Sequence, residues 1–203
     1  MSRALFDCAD PEVNPYALMT SLIVPRPIAW ISTMSKDGVG NLAPHSFFSV
    51  ACASPPIICF TSVGRKDTLA NILATGQFVV NVATEPMLHL VNNSAAAFGA
   101  GVDEAEVLGI EMEPSASVEV PRVAASPASL ECVFHSMQDL GDSVHVLGTV
   151  LRICVDEDAI EHGLPQIDRL RPLSRLGANE WGLTPPVTAV DRPMHPRDIA
   201  HQP

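Results

Sequence analysis

Basic residues are scarce in this chain of 203: Lys and Arg number 12 against 23 Asp and Glu, a net charge of -11. A general nucleic-acid binder needs basic surface to neutralise phosphates, so that class is excluded. Paired cysteines are missing as well. Cys8, Cys52, Cys59, Cys132 and Cys154 are odd in number and form no CxxC. Four of them sit in apolar, strand-like runs, where cysteine packs as a small hydrophobe. His89, His135, His162, His195 and His201 are scattered without ligand spacing, so no metal site is expected. No apolar run approaches the ~20 residues of a membrane-spanning helix, and the opening MSRALFDCADPEV has no apolar leader core. A soluble, cytoplasmic protein is expected. There is no GxSxG elbow for a hydrolase and no internal repeat.

What is present is a compact, apolar chain: 47% of residues are hydrophobic and 17% charged. That composition and length suit a folded core that needs no covalent staples. Residues 1–24 read as an N-terminal segment, 25–182 as the main domain, and 183–203 as a proline-rich tail with little to bury.

The pattern is mostly β. Pro25 and Pro27 force extended backbone ahead of Ile28–Met34, where Ile28, Trp30 and Ser32 alternate with Ala29, Ile31 and Thr33. Lys36-Asp37-Gly38 signals a hairpin. The next strand spans about 41–51, with a kink expected at Pro44 because proline removes a ladder donor. Ile57–Ser62 is apolar enough to be a buried strand. Asp67 or Thr68 is placed to cap a helix whose inner face is Leu69, Ile72 and Leu73, with Gly76 as its stop. Phe78–Val82 follows as a strand. Leu130–Leu140 and Val144–Val155 are two long strands about a Gly141-Asp142-Ser143 turn. Short helices are expected at Tyr16–Leu22 and Met87–Asn92, and one or two helical turns at Val102–Leu108. Such a series predicts an antiparallel barrel or sandwich, which periodicity does not separate.

Two stretches carry chemistry. Gly64-Arg65-Lys66-Asp67-Thr68 opens a helix, and a helix start presents unpaired N–H groups and the positive dipole end. Two cations and a hydroxyl turn that start into a phosphate clamp, Arg65 as a fork and Lys66 as a point charge. The stretch Asn41-Leu42-Ala43-Pro44-His45-Ser46-Phe47-Phe48 offers polar contacts from Asn41, His45 and Ser46 beside the small surface of Ala43 and Pro44. Neighbours on a strand face opposite ways, so His45 and Ser46 do not make a nucleophile–base pair. The acidic cluster Asp103-Glu104-Glu106, with Glu111 and Glu113, reads as solvated surface.

In their order, PRPIAW (Pro25–Trp30), APHSFF (Ala43–Phe48), Pro55-Pro56, KDTLANI (Lys66–Ile72), GQFVVNVA (Gly76–Ala83), VDEAEVLGI (Val102–Ile110), LGTV (Leu147–Val150) and RPLSRLGANEW (Arg171–Trp181) resemble the flavin reductase-like family. The resemblance implies a split β-barrel of antiparallel Greek-key type with peripheral helices, binding FMN rather than FAD. It implies an FMN-dependent oxidoreductase that takes hydride from NADH or NADPH onto flavin N5, as a homodimer, and that supplies a partner oxygenase or another acceptor. A non-catalytic flavin carrier is the alternative. The implied cofactor residues are Ser32, Thr33, Asn41, Ala43, Pro44, His45, Ser46, Ser62, Arg65, Lys66 and Thr68, with Arg175 and Trp181 reaching a partner's flavin. Three departures stand out. A family histidine in a GDH setting is Ser143 here, leaving His145 as the catalytic candidate. An RLGG-x-Y pattern keeps an aromatic, Trp181, without its hydroxyl. A GEV strand becomes Gly148-Thr149-Val150, without the carboxylate.

Overall fold

The computed structural model describes residues 2–195, and the last eight residues of the tail lie outside them. Seven strands make the main sheet: β1 (Ala29–Met34), β2 (Gly40–His45), β3 (Phe48–Cys52), β4 (Ile57–Val63), β5 (Gln77–Val82), β6 (Ala128–Leu140) and β7 (Ser143–Val155), in the order β2-β1-β5-β6-β7-β4-β3. Every pairing is antiparallel. Flat, seven strands would put the two edges about 29 Å apart. Yet those edges, β2 and β3, are consecutive in the chain and joined only by Ser46 and Phe47. The three steps from His45 to Phe48 span at most about 11 Å. The sheet must therefore curl until its edges meet, and because β2 and β3 do not pair, the barrel is split along that seam.

The strand expected over 41–51 is thus two strands, and the break falls at Ser46-Phe47 rather than at Pro44. Pro44 is tolerated because β2 is an edge strand, hydrogen-bonded on one side only. The alternation along β1 feeds two cores. Ala29 and Ile31 join Phe60, Phe78, Ile72 and Leu69 inside the barrel. Ile28 and Trp30 pack outward with Leu42, Met87 and Val91 against the helical side.

Helices sit around the seam. α1 (Pro15–Leu22) is capped by the Asn14 side chain, which accepts from Ala17 N–H. α2 (Asp67–Thr75) fills the barrel end and stops at Gly76, whose φ of 74° is the left-handed conformation glycine adopts freely. α3 (Leu88–Asn93) follows a 3-10 turn over Glu85–Met87. α4 (Glu104–Leu108) is capped by Asp103, which accepts from Ala105 and Glu106 N–H groups. Packing of α4 on β2 is close: a side chain on Gly40 would run into the Asp103 carboxylate. A three-stranded satellite sheet joins Arg26–Pro27, Ser174–Arg175 and Trp181–Gly182. Beyond it, Glu85 accepts from the N–H and hydroxyl of Thr184, which ties the chain back to the body. Among the described residues no helix is long and apolar enough to cross a membrane.

Candidate functional site

A cleft of about 540 Å³ runs along the split. That is within the range of small-molecule sites. Cross-strand partners share a face, so the pairing of β2 with β1 sets Asn41, Ala43 and His45 on the face of Thr33, Ile31 and Ala29. These three β2 residues, with Pro44 and Ser46, form one wall of the cleft. Thr61 and Val63 of β4 form another, and the start of α2 closes one end with Lys66, Asp67 and Thr68. Tyr16, Phe47 and the small-residue loop from Ser94 to Ala100 complete it.

The α2 end is built to receive an anion. Lys66 is the N-cap, in extended backbone, and no side chain caps the helix. The first helical bond runs from Ala70 N–H to the Lys66 carbonyl, which leaves the N–H groups of Asp67, Thr68 and Leu69 without helical acceptors. The cap expected at Asp67 or Thr68 falls at Lys66 instead, since both are already helical. Buried Asn41 donates from Nδ2 to Thr33 Oγ1 (3.1 Å) and Thr68 Oγ1 (3.0 Å), and Asn71 Nδ2 donates to Thr33 Oγ1 (3.1 Å). Because the Thr68 oxygen accepts there, its O–H proton is left to donate to an acceptor in the cleft. Thr33 is the buried anchor of this network rather than a lining residue.

His45 supplies the second polar feature. Its ring packs 4.9 Å from Phe60, and its Nε2 is sealed from solvent with no hydrogen-bond partner. Burial lowers its pKa to about 4; a hydrogen bond to the Thr61 backbone opposes the shift, and the Lys66 charge adds to it. With the other ring nitrogen bound to the backbone, Nε2 is the bare acceptor of a neutral imidazole, closed off from the cleft by the packing around it. A depressed histidine pKa makes stability fall on the acid side. Below pH ~6.5 the unfolded chain takes up a proton that the native state refuses until pH is about 4. Stability drops by about 2–3 kcal/mol across that window in the native protein, and His45→Phe removes the slope; urea midpoints at several pH values measure both.

The other expected site residues divide. Ser32 points away from the cleft, donating to the Pro121 carbonyl at 2.7 Å and accepting from Asn81. Ser62 is fully buried and fixes the turn before α2 by donating to the Gly64 carbonyl (2.8 Å). Arg65 is exposed and pairs with Asp139 near the β6–β7 hairpin tip at 2.6 Å. Arg175 stacks over Trp181 at 4.7 Å in the satellite sheet, outside the cleft. His145 is also outside, but its Nδ1 lies 3.1 Å from the Thr61 hydroxyl, and Thr61 does line the cleft.

Glu104 is the residue that sequence reasoning placed wrongly. It is not solvated: it is 7% exposed, lines the cleft and accepts from Leu42 N–H at 2.8 Å. Burial raises its pKa, against the hydrogen bonds from Leu42 and its own backbone. The signal available was the Asp103 cap, which puts Glu104 in a first helical turn, but not which way that turn faces.

A split antiparallel barrel with an uncapped helix start and a wall of small residues in one cleft suits a flat heteroaromatic nucleotide. The profile described as flavin reductase like domain matches residues 19–173, and the chain belongs to that family. An uncharacterized protein of Deinococcus radiodurans is 39% identical over 79% of this chain and 75% of its own length. A flavin reductase of Pseudomonas putida is 27% identical over 66% of this chain and 75% of its own. Among solved structures, nitrilotriacetate monooxygenase component B from Bacillus cereus superposes with a TM-score of 0.85 at 29% identity, covering 93% of this chain and 100% of its own. The 2-nitrobenzoate 2-nitroreductase of Pseudomonas fluorescens gives 0.87 at 27%, covering 95% and 97%.

Proposed function

We propose that the protein is an FMN-dependent oxidoreductase, most simply an NAD(P)H:flavin reductase, with the flavin held in the cleft along the barrel split. The observation that carries this reading is the uncapped start of α2, where Lys66 and the Thr68 hydroxyl face the cleft that Asn41, Ala43 and His45 line. Lys66, the Thr68 hydroxyl and the free N–H groups hold the phosphate. Asn41 holds Thr68 in place, and Ala43 and Pro44 give the ring a flat small surface beside His45. A bound flavin supplies the two-electron chemistry, so the chain's residues have only to position it and its nicotinamide donor. The same reading takes the protein as a cytoplasmic homodimer that serves a separate oxygenase or another acceptor.

Arg65 has a smaller share than Lys66 because Asp139 holds it. Exposed pairs of this kind contribute about 0–1 kcal/mol, so Asp139→Asn leaves the fold intact and frees the guanidinium. FMN then binds about two- to five-fold tighter in a fluorescence titration, and the gain is absent for riboflavin, which has no phosphate.

Two features favour a flavin carrier as the second reading: Ser143 stands where the family resemblance implies a histidine, and the Thr61 hydroxyl engages His145. An anaerobic absorption spectrum with NADH or NADPH separates the two. Bleaching of the flavin bands establishes the reductase, and bands that persist with both donors reject it for the carrier.

A further inference from the structure

A second groove of about 460 Å³ lies beside the first and shares Ser46 and Phe47 with it. Its walls are Met19, Ile23, Pro25, Pro27, Phe47 and Phe48. Its single charged lining residue is Arg26, which is 8% exposed.

Arg26 has an unusual set of partners. Its guanidinium donates to three backbone carbonyls: Thr20 and Ile23 at the end of α1, and Leu176 (2.8 Å). Among the described residues no carboxylate pairs with it. Its cross-strand partner is a second arginine, Arg175, which also has no carboxylate and donates to the Ala178 carbonyl. Burial lowers the Arg26 pKa and the Arg175 charge lowers it further. The α1 carbonyls offset part of the cost of burying this cation, as the negative end of a helix does. They do not use every donor: Nε is sealed without a partner, and Nη2 spends only one of its two N–H groups, on Leu176. Two adjacent guanidinium groups without an acid, in a chain of net charge -11, leave a local positive charge that calls for a counter-anion.

We propose that this groove binds a small organic carboxylate with an apolar, preferably aromatic, body, its carboxylate on Arg26 and its body against Phe47, Phe48, Met19 and Ile23. The apolar walls select a singly charged ligand, since a phosphate dianion would lose more hydration than one guanidinium returns. The shared wall at Ser46-Phe47 makes the groove the acceptor side of the redox site, an assignment that rests on the flavin reading; the binding itself does not.

The test uses full-length, flavin-free protein titrated with benzoate and with its neutral counterpart benzamide, followed by NMR of the Met19 and Ile23 methyl groups. Benzoate shifts both signals and binds at least ten-fold tighter than benzamide. Arg26 also ties α1 to the satellite sheet, so its removal risks the fold; Arg175→Gln is the working variant and weakens benzoate several-fold while benzamide is unchanged. Lys66→Ala, which tests the phosphate end, leaves benzoate binding intact. Equal affinities for the two probes overturn the proposal. So does loss of benzoate binding in Lys66→Ala, which would place it in the main cleft. Silent methyl signals also overturn it, the groove then being covered by a second copy of the chain. Benzoate failing while FMN binds rejects this proposal alone, and FMN failing while benzoate binds rejects the flavin reading alone.

Discussion

Lys66→Glu lowers FMN affinity about 100-fold or more and leaves riboflavin affinity within about two-fold. The expected size follows from position. Lys66 is the N-cap of α2, so its charge and the unpaired N–H groups of the first turn act on the same anion. Reversal removes a charge-assisted contact and adds repulsion beside Asp67, which already lines that end of the cleft. Arg65→Ala costs less, because the Arg65 guanidinium is held by Asp139 at 2.6 Å. Fluorescence titrations with FMN and riboflavin in parallel isolate the phosphate contribution. A variant that loses both ligands equally would point to a damaged cleft instead.

Glu131→Ala costs about 3–5 kcal/mol of stability, a large share of what a domain of this size has. Glu131 is fully buried on β6. It accepts from the N–H groups of Ala116 (2.9 Å) and Ser117 (2.5 Å), and Arg122 lies 3.7 Å away. Burial pushes its pKa up, but those two N–H groups and the Cys154 and Ser117 side chains outweigh it and hold the carboxylate below its usual range. It pins the 114–121 loop, which lays Val118 and Val120 over Val79. Alanine leaves two N–H groups and part of the Arg122 charge unanswered, where Glu131→Gln keeps an acceptor and costs about 1–3 kcal/mol. Guanidinium unfolding curves measure both. Because Glu131 lies on β6, three strands across the sheet from the β2 wall of the cleft, FMN affinity of the folded variants is unchanged.

Much of this fold is legible in local sequence. The alternation over Ile28–Met34 sorts the side chains onto the two faces that feed the two cores, Gly76 stops α2, and the Gly141-Asp142-Ser143 turn joins the long hairpin. What local pattern does not carry is which strands become neighbours. The order that brings β2 and β3 to opposite edges is a property of the whole sheet, and it decides both the break at Ser46-Phe47 and the cleft along it. The site shows the same division. Asn41, Ala43, Pro44, His45, Ser46, Lys66 and Thr68 come together because they lie along β2, the residue just after it and one helix start. Arg65 does not, because its partner Asp139 is 74 residues away. Ser32 and Thr33 lie on opposite faces of β1, and neither reaches the cleft. Glu104 escaped because an acidic run looks solvated until packing on β2 is known.

A structure of the protein with FMN bound tests the central claim most directly. The predicted result is a phosphate within hydrogen-bonding distance of Lys66, the Thr68 hydroxyl and the first N–H groups of α2, with the ring against Ala43–Ser46. A flavin seated on another face, or in the cleft with its phosphate pointing away from α2, contradicts it.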